Sequence, residues 1–351
     1  MSAIALIGLD LAKSIFQIHC VDNEGNQVLK KRLTRAQMAE FFAQLEPCVV
    51  AMEACGSAHF WARKLVEFGH SPRLIPPQYV KPFVKTNKND AADAAAIVIA
   101  ARQPDMPTVT VKSLEQQAVL SIHRARDGLV KSRTAVCNQI RGLLSEFGVV
   151  LPLGVYQLRA QIPTILEDDE NKLPGLMRQV IQRLYDHLKH LEQEIEACEA
   201  MLTAWHHQNE VSQRLVAIPG VGILTATAIV ATVGDAKQYR NGRQFAAALG
   251  LVPRQHSSGG KERLLGISKR GDGYLRRLLI HGTRTVWRFR MKNPDFEQTW
   301  FGKLAKRRPI NVALVALANK RARTIWAMLY NNRAFDPLFK PTSPSLVLVR
   351  S

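Results

Sequence analysis

The chain opens on three short blocks of apolar residues. IALIGLDL is an unbroken apolar run closed by Asp10, and FQIHCVD and QVLKKRL follow it, separated from each other by DNEGN. Unbroken or alternating runs of this length, with Gly and Asn between them, predict three strands and a turn. A helix is predicted over about 35–45, then a buried strand CVVAMEA, a helix from about Ser57 and a short strand RLIPP. The alanine-rich KNDAADAAAIVIAAR predicts another helix. The order β-β-β-α-β-α-β-α describes an α/β sheet that begins as an antiparallel meander.

The period then becomes helical. Residues 114–147 carry Ile122, Leu129, Val136 and Leu143 seven apart, with Arg124, Arg126, Lys131, Arg133 and Arg141 off that stripe. A proline- and acid-containing connection is read over 152–175. Met177, Ile181, Leu184, Leu188, Leu191, Ile195, Cys198 and Leu202 then recur in steps of four and three. That spacing fits a coiled coil or helical hairpin used in self-association, or else one amphipathic helix inside a bundle. LVAIPGVGILTATAIVATVG predicts two helices around a G-x-G turn at Gly220 and Gly222. Such a turn either aims backbone N–H groups at a phosphate, as in a helix-hairpin-helix, or simply joins packed helices. The remainder reads as helical and basic, ending in a proline-containing tail after Asp336.

Charge sharpens the picture. The 351 residues carry a formal +19, and 211–351 alone hold 25 Lys+Arg against 6 Asp+Glu. The whole excess therefore sits in the C-terminal part, where it would attract a polyanion, foremost nucleic acid. The five cysteines are scattered without a CxxC. They predict reduced thiols in the cytoplasm and no zinc site. No basic n-region or cleavage site marks the start as a signal peptide, and no apolar run approaches the roughly 20 residues of a membrane span.

Four acids suggest chemistry. Asp10 lies in an apolar strand, where a carboxylate is costly unless it meets a cation or a donor. Glu53 ends a buried strand, and Asp90 and Asp93 share one helix face, where like charges repel. A hard cation would relieve that repulsion, and the two strand-borne acids with the helical pair could hold two Mg²⁺ ions through oxygen ligands. Individually, Asp10 also reads as a structural acid, Glu53 as a cap for the next helix, Asp90 as an N-cap and Asp93 as a solvated first-turn residue. In the order strand-Asp, strand-Glu, helix-DxxD, the set resembles the carboxylate tetrad of the RNase H/RuvC-like fold. The stretch PRQHSSGGKERLLGISKRGDGYLRR poses a separate question, since a glycine-flanked serine there serves a turn, a phosphate grip or a nucleophile.

IGLDLAK, AMEACGS, KNDAADA, IPGVG and GLVPRQHSSGGKERLLGISKRGDGYLRRLL occur in this order across about residues 4–335. Together they make the chain resemble the transposases of the insertion sequence 110 family, subgroup 1111. The resemblance implies a RuvC-like domain over 1–150 with Asp10, Glu53, Asp90 and Asp93 as catalytic Mg²⁺ (or Mn²⁺) ligands. It implies a linker and coiled coil over 151–207, a mainly helical transposase domain over 208–335 and a tail over 336–351. It implies a serine nucleophile at Ser258, with Ser257 as the second choice, that forms a covalent phosphoserine with DNA. The implied partners are donor and target DNA, a noncoding bridge RNA and further copies of the chain, as a dimer or tetramer. Gly259 and the cations Arg254, Lys261, Arg263, Lys269, Arg270, Arg276 and Arg277 are expected to hold nucleic-acid backbone. His256 is expected to be structural or to touch phosphate. Trp287, Phe289, Trp300, Phe301 and Trp326 are expected mainly in the core. A water-using RuvC-like nuclease or junction resolvase, or a non-catalytic binding scaffold, are the competing readings.

Overall fold

The computed structural model describes residues 3–84 and 90–338, apart from the side chains of Asp90 and Ala91. It divides into two compact units, Met1–Ser113 and Leu114–Ser351. The first unit runs β1 (Leu6–Asp10), β2 (Ile15–Val21), β3 (Gln27–Thr34), α1 (Arg35–Ala43), β4 (Val49–Glu53), α2 (Ala58–Glu67), β5 (Ser71–Ile75), α3 (Pro77–Val80) and α4 (Asp90–Ala101). Its five strands lie in the order β3-β2-β1-β4-β5. β1–β2 and β2–β3 pair antiparallel, while β1–β4 and β4–β5 pair parallel. The meander and the later strands stand where the apolar runs predicted them. Local chemistry sets the turns. Asp22 accepts from the backbone N–H of Gly25 and of Asn26, both at 2.8 Å, which closes the DNEGN turn. Thr34 and Gln37 form a reciprocal capping box that starts α1.

Alternation sorts the strand residues between two faces. Ile7, Leu9, Phe16, Ile18, Val50 and Met52 pack with Met38 and Phe42 of α1 and Trp61, Ala62 and Leu65 of α2. Ala51 and Ile75 pack on the other face with Ala96, Ile97 and Ala100 of α4. Gly8 decides how close α4 comes. A Cβ on Gly8 would lie 2.2 Å from the Ala94 carbonyl oxygen and 2.7 Å from Val98 Cγ2. The helix backbone thus rests directly on β1.

The second unit is helical apart from one small hairpin. It runs α5 (Leu114–Ser145), α6 (Val155–Glu167), α7 (Gly175–Gln208), α8 (Glu210–Leu215), α9 (Ile223–Val233), α10 (Gly242–Ala248), β6 (Pro253–Gln255), β7 (Leu264–Ile267), α11 (Gly273–Arg290), α12 (Trp300–Arg307) and α13 (Ile310–Asn331). Residues 339–351, most of the expected tail, lie outside the described residues.

Three expectations change here. First, the stretch 152–175 holds α6, whose Leu158 and Ile162 are buried one turn apart. Arg178 fastens the following turn by donating to the carbonyls of Ile165, Leu166, Asp168 and Leu173. Second, the α7 stripe is used inside the chain. Met177, Ile181, Leu188 and Leu191 pack on Val136, Cys137, Ile140 and Leu144 of α5 and on α6, while Leu202 packs on Val119. The pairing is an antiparallel hairpin, so these residues form no free seam for a second copy. Third, the buried line of α5 includes His123, which the seven-residue spacing passed over. His123 lies within 3.0 Å of both Tyr274 Oη on α11 and Thr227 Oγ1 on α9. Burial pushes its pKa down to about 4, so this node is neutral at physiological pH.

Candidate active site

The carboxylates assemble at one end of the first sheet. Leu9 pairs with Met52 in the parallel register, which sets Asp10 beside Glu53 on neighbouring strands. Both share the alternation of Gly8 and Ala51, so both belong to the α4 face. Asp93 precedes Ala94, the residue whose carbonyl rests on Gly8. Asp10, Glu53 and Asp93 are all half-buried. Asp90 begins α4, and its side chain lies outside the described residues. The electrostatics register the convergence. Burial raises the Glu53 pKa, and the charges of Asp10 and then Asp93 raise it further. Capping does not account for Glu53, because α2 is opened by Ser57 without a side-chain cap.

An all-oxygen set whose members repel one another fits a hard divalent cation. Among the described residues no three of His, Cys, Asp and Glu already form a group that could hold an ion. A carboxyl whose folded pKa is raised binds its proton more tightly when folded, so metal-free stability falls as pH climbs through the carboxylate range. Glu53→Gln removes that cost. It is expected to raise the melting midpoint of metal-free protein at neutral pH by about 1–3 °C and to abolish the further rise that Mg²⁺ gives the wild type. Calorimetry with and without Mg²⁺ reads both. A lower midpoint without metal, or an unchanged Mg²⁺ response, would remove Glu53 from the metal set.

The serine stretch forms a structure of its own. β6 and β7 are antiparallel, with Pro253 opposite Ile267 and Gln255 opposite Leu264. The His256 N–H donates to the Arg263 carbonyl at 2.9 Å, and the Lys261 N–H donates to the Ser258 carbonyl at 3.1 Å. Gly259 and Gly260 lie between, with φ of +56° and +75°. Two consecutive left-handed residues are the requirement of the tight hairpin turn that matches strand twist. The expectation of a helical stretch is thereby corrected. Every residue from Pro253 to Gly266 is exposed, so the arm stands away from the core. Gln255 Nε2 donates to Ser257 Oγ at 3.0 Å. Ser258 starts the turn, and its hydroxyl has no such bond among the described residues.

Residues 7–149 match a profile of DEDD transposases of the IS110 type, described as "Transposase". Residues 212–300 match one described as "Transposase IS116/IS110/IS902 family". Among similar proteins, a "Probable family 20 transposase" of Pseudomonas aeruginosa is 52% identical over 94% of this chain and 98% of its own length. The "Transposase for insertion sequence element IS1111A" of Coxiella burnetii is 45% identical, covering 95% of this chain and 92% of the relative. That for IS1328 of Yersinia enterocolitica is 42% identical, covering 96% and 100%. The chain belongs to the IS110 transposase family. It is an insertion-sequence transposase, an enzyme of DNA cleavage and transfer, and its first unit belongs to the DEDD class, which points to divalent metal. Among the described residues no helix is long and apolar enough to cross a membrane.

The transposase presents its expected cations unequally. Arg254, Lys261, Arg263 and Lys269 are exposed on or beside the hairpin, as is Arg270. Arg276 is tied inward, donating through Nη1 to the carbonyls of Leu249 and Arg270, both at 3.0 Å. It fastens the base of the arm rather than projecting to a ligand. Arg277 pairs with Asp127 and lies over the Tyr274 ring. His256 is exposed at the arm's tip.

Gly220 departs from the phosphate-turn expectation. A Cβ there would lie 2.6 Å from the Gly282 carbonyl oxygen of α11, so this glycine serves helix packing. Gly222 opens α9 as its N-cap, with open space around it. Phe301 is buried, Trp287 packs against it, and Trp326 donates to the Ala236 and Tyr239 carbonyls. Phe289 is 76% exposed and Trp300 47%, against the core expectation for these two. Gly8 carried no expectation, and the turn at Gly259-Gly260 was one of three readings of its stretch, without the hairpin around it. A lone glycine in a buried strand and a Gly-Gly pair between short β-prone segments were the available signals.

Proposed function

We propose that this transposase cuts and rejoins DNA through a covalent phosphoserine at Ser258, served by the carboxylates Asp10, Glu53, Asp90 and Asp93. The observation that carries the reading is the Ser258 hydroxyl, without a partner among the described residues, at the tip of an exposed, cation-flanked hairpin. Ser258 Oγ bonds to phosphorus, its proton leaves to a base or to solvent, and the P–O bond to the departing sugar oxygen breaks. Rejoining reverses the exchange with another strand's hydroxyl and frees the serine, so no ATP is needed. When bound, Mg²⁺ or Mn²⁺ would supply Lewis-acid activation and neutralise charge on the reacting phosphate. The four carboxylates would hold that ion. Gly259 and Gly260 bring backbone close to phosphate without a side chain between, and Arg254, Lys261, Arg263, Lys269 and Arg270 anchor the strand without reading sequence.

In this reading donor and target sites are chosen by a bridge RNA of the element, and copies of the chain act together as a dimer or tetramer. Family membership supports both. Ser258→Ala is expected to abolish strand cleavage of element-end DNA, while Ser257→Ala stays within a few-fold of wild type. The reverse ranking would move the nucleophile to Ser257, and undiminished cleavage by both would end the serine reading.

A further inference from the structure

Asp10 belongs to a row of residues that crosses the whole first sheet. The parallel register sets it beside Glu53, and Glu53 pairs with Ile75 on β5. In the other direction Asp10 pairs with Gln17 on β2, and Gln17 pairs with Arg32 on β3. Paired residues share a face, so Ile75, Glu53, Asp10, Gln17 and Arg32 all belong to the α4 face. The row grades from apolar to charged. Ile75 is fully buried, Glu53, Asp10 and Gln17 are half-buried, and Arg32 is exposed on the edge strand. Directly opposed residues of antiparallel strands lie about 5 Å apart, so the Arg32 backbone stands roughly 10 Å from that of Asp10. Residues 25–39 carry Lys30, Lys31, Arg32 and Arg35 and no acid. Two of these cations are engaged on the α1 and α2 side, Lys31 over the Phe41 ring at 5.6 Å and Arg35 over the Trp61 ring at 5.4 Å. Among the described residues the Arg32 guanidinium meets no carboxylate and no ring.

A metal ion held at Asp10 and Glu53 fixes only the reacting phosphate, and the backbone leading to it must be seated too. On the β5 side the row ends in a buried isoleucine, against which a charged phosphate would lose its water and gain no partner. On the β3 side it meets an amide and then an exposed guanidinium, whose fork matches phosphate oxygens in shape and hydrogen bonding. Cations on an edge strand also deter edge-to-edge pairing. That duty falls on Lys30, Lys31 and Arg32 alike and does not require register with Asp10. We infer that Arg32 is a positioning residue that clamps a phosphate neighbouring the one being cut, so that the DNA strand crosses β3 and β2 to reach the carboxylates. This role presupposes the carboxylate site proposed above.

Cleavage of element-end DNA, with the element's RNA and Mg²⁺, is measured for the wild type, Arg32→Gln, Lys31→Gln and Asp10→Asn. The substrates carry one uncharged methylphosphonate at each successive position around the cut. Arg32→Gln is expected to lose about tenfold in kcat/KM. Lys31→Gln, an equal loss of charge on the other face of the same strand, should stay within a few-fold of wild type. In the wild type one methylphosphonate beside the cut should cost a similar factor. In Arg32→Gln that same change should cost nothing further, because both remove one contact. A merely structural role for Arg32 would leave the methylphosphonate pattern as it is in the wild type. Should Arg32→Gln lower the melting midpoint, Arg32→Thr, which suits a strand, takes its place in the same comparison. Undiminished cleavage by the Arg32 variant, an equal loss in Lys31→Gln, or a methylphosphonate pattern identical to that of the wild type would each overturn the inference. Wild-type cleavage by Asp10→Asn would instead show that the carboxylate site has failed. An inactive Asp10→Asn beside an undiminished Arg32→Gln would show that only the Arg32 role has.

Discussion

Asp10→Asn is expected to lower DNA cleavage by roughly a thousandfold while leaving nucleic-acid binding and the fold in place. Asn keeps the shape of the side chain and removes its charge. Asp10 is the foremost charged neighbour raising the Glu53 pKa, so the substitution also lets Glu53 ionise more readily. Metal-free stability should therefore hold or rise, as cleavage disappears. Binding should persist, because the cationic excess lies in 211–351 and the substitution is in β1. Cleavage is measured on element-end DNA with Mg²⁺, and binding by anisotropy on the same DNA. Cleavage within a few-fold of wild type would remove Asp10 from the metal set.

Gly8→Ala is expected to disable the enzyme without touching a charged group. The added Cβ would sit 2.2 Å from the Ala94 carbonyl oxygen, so α4 must move away from β1. Overpacking of this kind costs about 1–3 kcal/mol. The same displacement shifts Asp93, one residue from Ala94, relative to Asp10 and Glu53. A misplacement of about 1 Å at reacting groups costs on the order of 100-fold in rate. Gly142→Ala is the control, since nothing lies within 4 Å of a Cβ there. A lowered melting midpoint with undiminished cleavage would show that α4 does not position the site.

The first unit was legible because its signals are local. Apolar runs, the DNEGN turn and the strand-end acids each depend on neighbours in sequence, and period-2 alternation then places Asp10 and Glu53 on one face. The second unit was less so because its outcome rests on long-range choices. The α7 stripe has the spacing of an intermolecular seam, and only the return of the chain through α6 shows that α5 fills it. Pro163 inside α6 hid that helix by suggesting a break. Arg276 and Arg277 read like Arg254 and Arg263 in sequence, yet carbonyls and Asp127 engage the first two. Gly220 fits a phosphate turn until Gly282, 62 positions later, is found against it.

Covalent joining of Ser258 to DNA is the step that separates a recombinase from a nuclease. The measurement is made by incubating the transposase with the element's RNA, Mg²⁺ and labelled junction DNA, then resolving the mixture on a denaturing gel and mapping the modified peptide. The expected result is a protein–DNA adduct on the peptide containing Ser258, absent from Ser258→Ala and from Asp10→Asn, and present in Ser257→Ala. Cleaved DNA with no adduct in any variant would contradict it, leaving a nuclease that uses water and a hairpin that only grips phosphate.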